Sequence, residues 1–210
     1  MNMRTLLFSL LAGALFGAAP AIAANMVGLP ACTAQGQSMV ANLSTTIPTN
    51  WQVTGLNASG PAHTTLANWT ALPNNWIQPS SSASPVDFQT SGDYTYLIRF
   101  YIPCDPKNYA SLSLTGAIAA DNSFRAFVNG SVSPFLVCAG PNCYNTPANP
   151  TAFGNLAGSL VRGVNTIQIV VHNIDHQSGL AVSATLTARC GVECCLLLNR
   201  PIITDGNQSQ

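Results

Sequence analysis

Between residues 94 and 102 the sequence YTYLIRFYI alternates without a break. Tyr94, Tyr96, Ile98, Phe100 and Ile102 share one parity, and Thr95, Leu97, Arg99 and Tyr101 share the other. A period of two belongs to an extended strand with one buried face; a helix would scatter the same residues round its circumference. Ala110, Leu112 and Leu114 repeat the pattern, and Phe124, Ala126 and Val128 repeat it again. The last of these runs ends on Asn129-Gly130, the pair that supplies the positive φ angles of a tight hairpin turn. Further on, Ile167, Ile169 and Val171 face inward within 166–172 and Gln168 faces outward, while Leu180, Val182, Ala184, Leu186 and Ala188 alternate through 180–189. A further strand is expected at 38–43, and the only helical signal after the leader is a turn within 153–161. Short strands separated by Gly, Pro and Asn predict an all-β antiparallel sandwich or jelly roll.

Composition limits what such a sandwich can meet. Charged residues make up 7% of the chain, against about 25% in an ordinary soluble domain. With seven Lys+Arg and seven Asp+Glu, no basic face can be assembled, which excludes nucleic acid as a partner because phosphate neutralisation needs a cationic surplus. The surface must be built from Ser, Thr, Asn, Gln and Gly. Such a surface suits neutral hydrogen-bonding partners such as sugars, or other copies of the same chain.

The first stretch reads as an export leader. Arg4 supplies the positive end, LLFSLLAGALFGAA the apolar run, and Ala21-Ile22-Ala23 an A-x-A cleavage box. The apolar run is shorter than the roughly 20 residues that span a bilayer, and no second stretch of membrane length follows. The expected organisation is a signal peptide at 1–23, an N-terminal segment at 24–49, a sandwich domain at 50–190 and a Cys-rich apolar extension at 191–210. The expected location is outside the cytoplasm, periplasmic or extracellular.

Export makes the seven cysteines disulfide material. Cys138 and Cys143 bracket the turn sequence Ala-Gly-Pro-Asn and are expected to pair. Cys32, Cys104, Cys190, Cys194 and Cys195 remain, and a bridge is expected from Cys32 to the cluster at 190–195, since domain termini tend to lie close together. An odd count leaves one thiol free or shared between molecules. The alternative use, a metal centre, lacks the paired CxxC spacing that zinc sites carry.

The motif order is also familiar. Asn68-Trp69, Pro73 to Ile77, Tyr94-x-Tyr96 with Phe100, Ala120-Asp121-Asn122, Val128-Asn129-Gly130, Gly163-Val164-Asn165-Thr166 and Gly179-Leu180-x-Val182 together resemble the galactose-binding-domain-like jelly roll of secreted bacterial proteins, over roughly residues 50–190. That resemblance implies a sandwich of eight or nine strands and a place among carbohydrate-binding modules, adhesive domains and non-catalytic enzyme appendages. Members often carry Asp before the Asn-Trp pair. This chain has Ala67 there, so a cation or ligand role attached to that acid does not carry over.

The candidate ligand-binding residues are Tyr144, Trp76, Tyr109 and Asn129. Aromatic faces suit the apolar face of a pyranose, but Trp76 and Trp69 lie in framework motifs where packing is the plainer role. Candidate cation ligands are Asp121, His172, Asp175 and His176, and a structural calcium ion is the cofactor the sequence leaves room for. Against that, calcium wants six to eight oxygens, and Asp121-Asn122 reads more simply as an Asx-turn. Glycoside hydrolysis needs two facing carboxyl groups. Glu193, the only Glu, sits in the Cys-rich extension, and the Asp residues at 87, 93, 105, 121, 175 and 205 read as turn residues. The chain is therefore expected to be a secreted, non-catalytic module that binds carbohydrate or cell-surface glycan. The alternative expectation is a subunit of an extracellular fibre, self-associating through the apolar run at 196–203.

Overall fold

The computed structural model describes residues 26–55, 58–64, 72, 76–79, 91–141, 143–144, 150–174 and 178–194. In chain order the strands are β1 (Val27–Gly28), β2 (Ser38–Asn42), β3 (Trp51–Gly55), β4 (Ala58–Pro61), β5 (His63–Thr64), β6 (Trp76–Gln78), β7 (Gly92–Ile102), β8 (Tyr109–Asp121), β9 (Ser123–Val128), β10 (Leu136–Cys138), β11 (Thr151–Phe153), β12 (Gly163–Asn173) and β13 (Gly179–Cys190). Among the described residues, helix is confined to single turns at 48–50, 106–108, 157–159 and 192–194, and no helix is long and apolar enough to cross a membrane. The expected leader and the apolar run at 196–203 lie outside the described residues.

Two antiparallel pairs carry the architecture. β7 and β12 pair along their whole length, from Ile102↔Gly163 to Gly92↔Asn173. β8 and β13 do the same, from Asp121↔Gly179 to Tyr109↔Cys190. Around the first pair a sheet forms in the order β10-β9-β12-β7-β3-β4, with β1 added in parallel on β7 beyond the end of β3. Around the second, the order is β11-β8-β13-β6-β5, with β2 on the free side of β13. The inward parities meet in one continuous core: Tyr94, Tyr96, Ile98, Phe100 and Ile102 from β7, Ile167, Ile169 and Val171 from β12, and Leu180, Val182, Ala184, Leu186 and Ala188 from β13. The fold is an all-β antiparallel sandwich. From β7 to β9 the chain crosses between the layers: β7 belongs to one sheet, β8 to the other, and β9 returns to the first.

Two local expectations change. Ala110 is exposed rather than inward, because the β8–β13 register slips between Arg189 and Cys190, leaving Ala110 as an extra residue and bringing Tyr109 into the core. The sandwich also begins before residue 50, since β1 and β2 each join a sheet. Ser44 and Thr45 extend that edge. Their hydroxyls both donate to and accept from the backbone of Ala184 and Val182, filling the ladder where β2 has ended. At Asn129-Gly130 both φ angles are positive, 49° and 68°, and Ser131 N–H closes the turn on the Val128 carbonyl. The expected hairpin forms, with β10 resuming against β9 at Leu136↔Ala126.

Among the described residues three disulfides hold the chain: Cys138–Cys143, Cys32–Cys190 and Cys104–Cys194. The first is the expected turn staple and the second the expected tie between N- and C-terminal segments. The third fastens the end of β7 to the 192–194 turn. Cys195 lies outside the described residues.

Candidate functional site: a polar groove at one end of β7

The outward parity of β7, β12 and β9 brings distant residues into a row. Asp93 on β7 is directly opposite His172 on β12, and His172 is opposite Ser123 on β9. One step along, Arg125 on β9 lies between Val170 on β12 and Val137 on β10. Asp93 Oδ1 lies 2.7 Å from His172 Nδ1, and its other oxygen lies 4.0 Å from the Arg125 guanidinium. These side chains line a groove of about 550 Å³ together with Phe124 and Cys138. The Cys138–Cys143 bridge therefore borders the groove as well as stapling its loop.

Asp93 and His172 keep about half of their side-chain surface in water. Exposed pairs of this kind add only about 0–1 kcal/mol to stability, so the row contributes little to holding the sandwich. What it offers is chemistry. A carboxylate accepts hydrogen bonds, a guanidinium donates them in a planar fork, and an imidazole and the Ser123 hydroxyl can do either. Val137 and Val170 provide the apolar walls. The groove thus sets hydrogen-bond donors and acceptors side by side between apolar walls.

Several residues singled out from sequence do other work. Trp76 is 3% exposed and packs on Ala119 and Ala181, with Tyr144 half-buried against the same cluster. Trp76 is thus no stacking platform, whereas Tyr144 keeps part of its surface exposed. Tyr109 is 7% exposed and its hydroxyl accepts the Cys104 N–H at 3.3 Å, so it too is closed to a ligand. Burial raises its pKa above the usual tyrosine value, as it does more strongly for the fully buried Tyr96.

The Asn129 amide is spent on structure. Its nitrogen donates to the Ser159 carbonyl and to Asn165 Oδ1, and its oxygen accepts the Thr166 N–H. Asn165, wholly buried, in turn bonds the backbone of Val161 and Gly163. The Val-Asn-Gly and Gly-Val-Asn-Thr motifs are two halves of one amide network, in which Asn165 is buried and Asn129 exposed.

Among the cation candidates, Asp121 is the buried last residue of β8, and His172 belongs to the groove. Asp175 and His176 lie outside the described residues. Asn122, joined to Asp121 by a cis peptide bond, does not make the expected Asx-turn: its side-chain oxygen accepts the N–H of Ile174, 52 residues on. Asp93 is not a turn residue either, being the second residue of β7. Asp93, Arg125 and Ser123 are the groove residues that sequence reasoning missed. Their only signal was outward parity on two strands, β7 and β9, which becomes a site only when strand order is known.

No protein-family model matches the chain, and no curated protein matches it. Solved structures give a loose likeness. The beta-glucuronidase of Ruminococcus gnavus aligns with a TM-score of 0.41 and 14% identity, over 74% of this chain and 30% of that one. The same enzyme in complex with D-glucuronic acid gives 0.40 and 15%, over 77% and 31%. The beta-D-glucuronidase of Dictyoglomus thermophilum gives 0.39 and 16%, over 76% and 30%. The chain spans about a third of the length of these enzymes. The two-sheet architecture rests on the strand pairing described above.

Proposed function

We propose that the mature chain is an exported, non-catalytic binding module of galactose-binding-like design, and that it holds a neutral carbohydrate or cell-surface glycan in the Asp93–Arg125–His172 groove. The observation that carries the reading is the convergence of an acid, a guanidinium, an imidazole and a hydroxyl on one groove of a protein otherwise poor in charge. Sugars present closely spaced hydroxyls, each a donor and an acceptor, and such mixed polar groups beside apolar walls are what orient them. The leader pattern and the three disulfides support export.

The test is a glycan array probed with the mature protein, then repeated with D93N and R125Q. A neutral-glycan hit that each substitution weakens about tenfold, roughly 1.4 kcal/mol, supports the reading. A blank array, or hits indifferent to both changes, removes the groove from consideration. A protein that elutes as polymer until residues 196–210 are deleted would instead make the fibre-subunit expectation the better one.

A further inference from the structure

The opposite end of β7 carries a different chemistry. Cys32, Cys104, Cys190 and Cys194 are all buried, and their two disulfides touch: the Cys194 sulfur lies 3.0 Å from that of Cys32, to which it is not bonded. Cys32, Cys104 and Cys194 sulfurs all lie within 4.8 Å of one another. A thiophilic metal would use such spacing, but each of these sulfurs is already committed to a disulfide.

We propose that these four cysteines form a thiol–disulfide exchange unit with Cys32 as its shared centre, in which Cys194, once released from Cys104, displaces Cys190. The co-reactant is a small-molecule thiol, RSH. Its thiolate attacks the Cys104 sulfur, forming a mixed disulfide and expelling Cys194 as thiolate. Cys194 then attacks Cys32; the Cys32–Cys194 bond forms, the Cys32–Cys190 bond breaks, and Cys190 leaves with the electron pair and takes up a proton. A second RSH resolves the mixed disulfide at Cys104. In total two RSH become RSSR, one protein disulfide is reduced, and the other changes partner.

The surroundings say which sulfur moves. Cys190 is pinned by its backbone, receiving the Gly36 N–H on its carbonyl at 2.8 Å and donating its own N–H to Gln37 at 2.9 Å. Cys194 sits on a single turn whose other residues, Val192 and Glu193, are exposed. Lifting that turn opens the Cys104–Cys194 bond to the thiol. The exchange moves the clamp on the N-terminal segment from the end of β13 to the C-terminal turn and frees Cys104. The segment stays tethered throughout.

The experiment treats the mature C195S protein with limiting thiol, alkylates it and maps the linked peptides. The expected product is a Cys32–Cys194 peptide of the same order of abundance as Cys32–Cys190, with Cys104 and Cys190 alkylated in the same chains. Singly reduced chains that keep Cys32–Cys190 intact and show Cys104 and Cys194 alkylated would overturn the proposal. The C104S/C195S variant checks it without reductant: Cys32 should then divide between Cys190 and Cys194, whereas Cys32–Cys190 alone, with Cys194 alkylated, contradicts exchange. Should that variant fail to fold, limited reduction of the C195S protein still decides.

Discussion

The two ends of β7 are built on opposite principles. Asp93 and Cys104 stand eleven residues apart in sequence, about 35 Å along extended chain. At the cysteine end, the sulfurs of Cys32, Cys104, Cys190 and Cys194 are buried, as are Tyr109 and, nearby on β12, Asn165. At the other end, acid, guanidinium and imidazole each keep about half of their side-chain surface exposed, bordered by a bridge that spans only 5 residues. Crosslinks that close long loops remove the most freedom from the unfolded chain, and buried amides must be satisfied or they destabilise. The closed end therefore holds the fold, and the groove end can vary its side chains at little cost to stability.

The largest expected effect breaks the closed end. Replacing Cys32 and Cys190 together by Ser removes a crosslink across 158 residues, which on the chain-entropy account costs about 5 kcal/mol. The same change at Cys138 and Cys143 should cost about 2 kcal/mol. Denaturant unfolding of the two double variants compares them directly, and equal losses would erase the distinction between the ends. Next comes Asn165→Ala, which strands the Val161 N–H and part of the Asn129 amide. It should lower stability by about 1–3 kcal/mol, read in the same unfolding series, and a neutral result would mean water replaces the network.

A pH series sharpens the contrast further. Burial raises the pKa of Tyr96 and Tyr109 above 10.0 in the folded state. The folded chain thus holds these protons more tightly than the unfolded one, so their contribution to stability is intact below pH 10.0 and declines as pH rises past that value. Thermal unfolding should show Tm falling above that pH, and Tyr109→Phe, which leaves the ring in place, should reduce the slope. The smallest effect belongs to the groove: R125Q should change stability by less than about 0.5 kcal/mol while altering glycan binding. A large loss of Tm in R125Q would show that the row is structural after all.

Much of this was readable from the residues. The parity of β7, β12 and β13 named their core faces correctly, because one face of a strand cannot be buried without printing a period of two. Cys138–Cys143 was legible from its turn, and the tie from Cys32 to the C-terminal cluster from the position of the ends. Tyr109 was misjudged because a bulge at Ala110 shifts the parity by one, and a bulge leaves no local mark in such a run. Trp76 and Asn129 were misjudged because the residues that cover or bond them, Ala119 and Ala181 in one case and Ser159 and Asn165 in the other, come from remote segments.

Taken alone, the sequence determined that this chain is extended, which faces are apolar, and that its cysteines pair, since each follows from local periodicity or composition. Only the tertiary structure decided that β7, β8 and β9 alternate between sheets, that Asp93, Arg125 and His172 share a groove, and that two disulfides lie in contact. Those facts depend on pairing order and register. Hydrogen-bond ladders between strands distant in sequence set both, and no short stretch of residues encodes them.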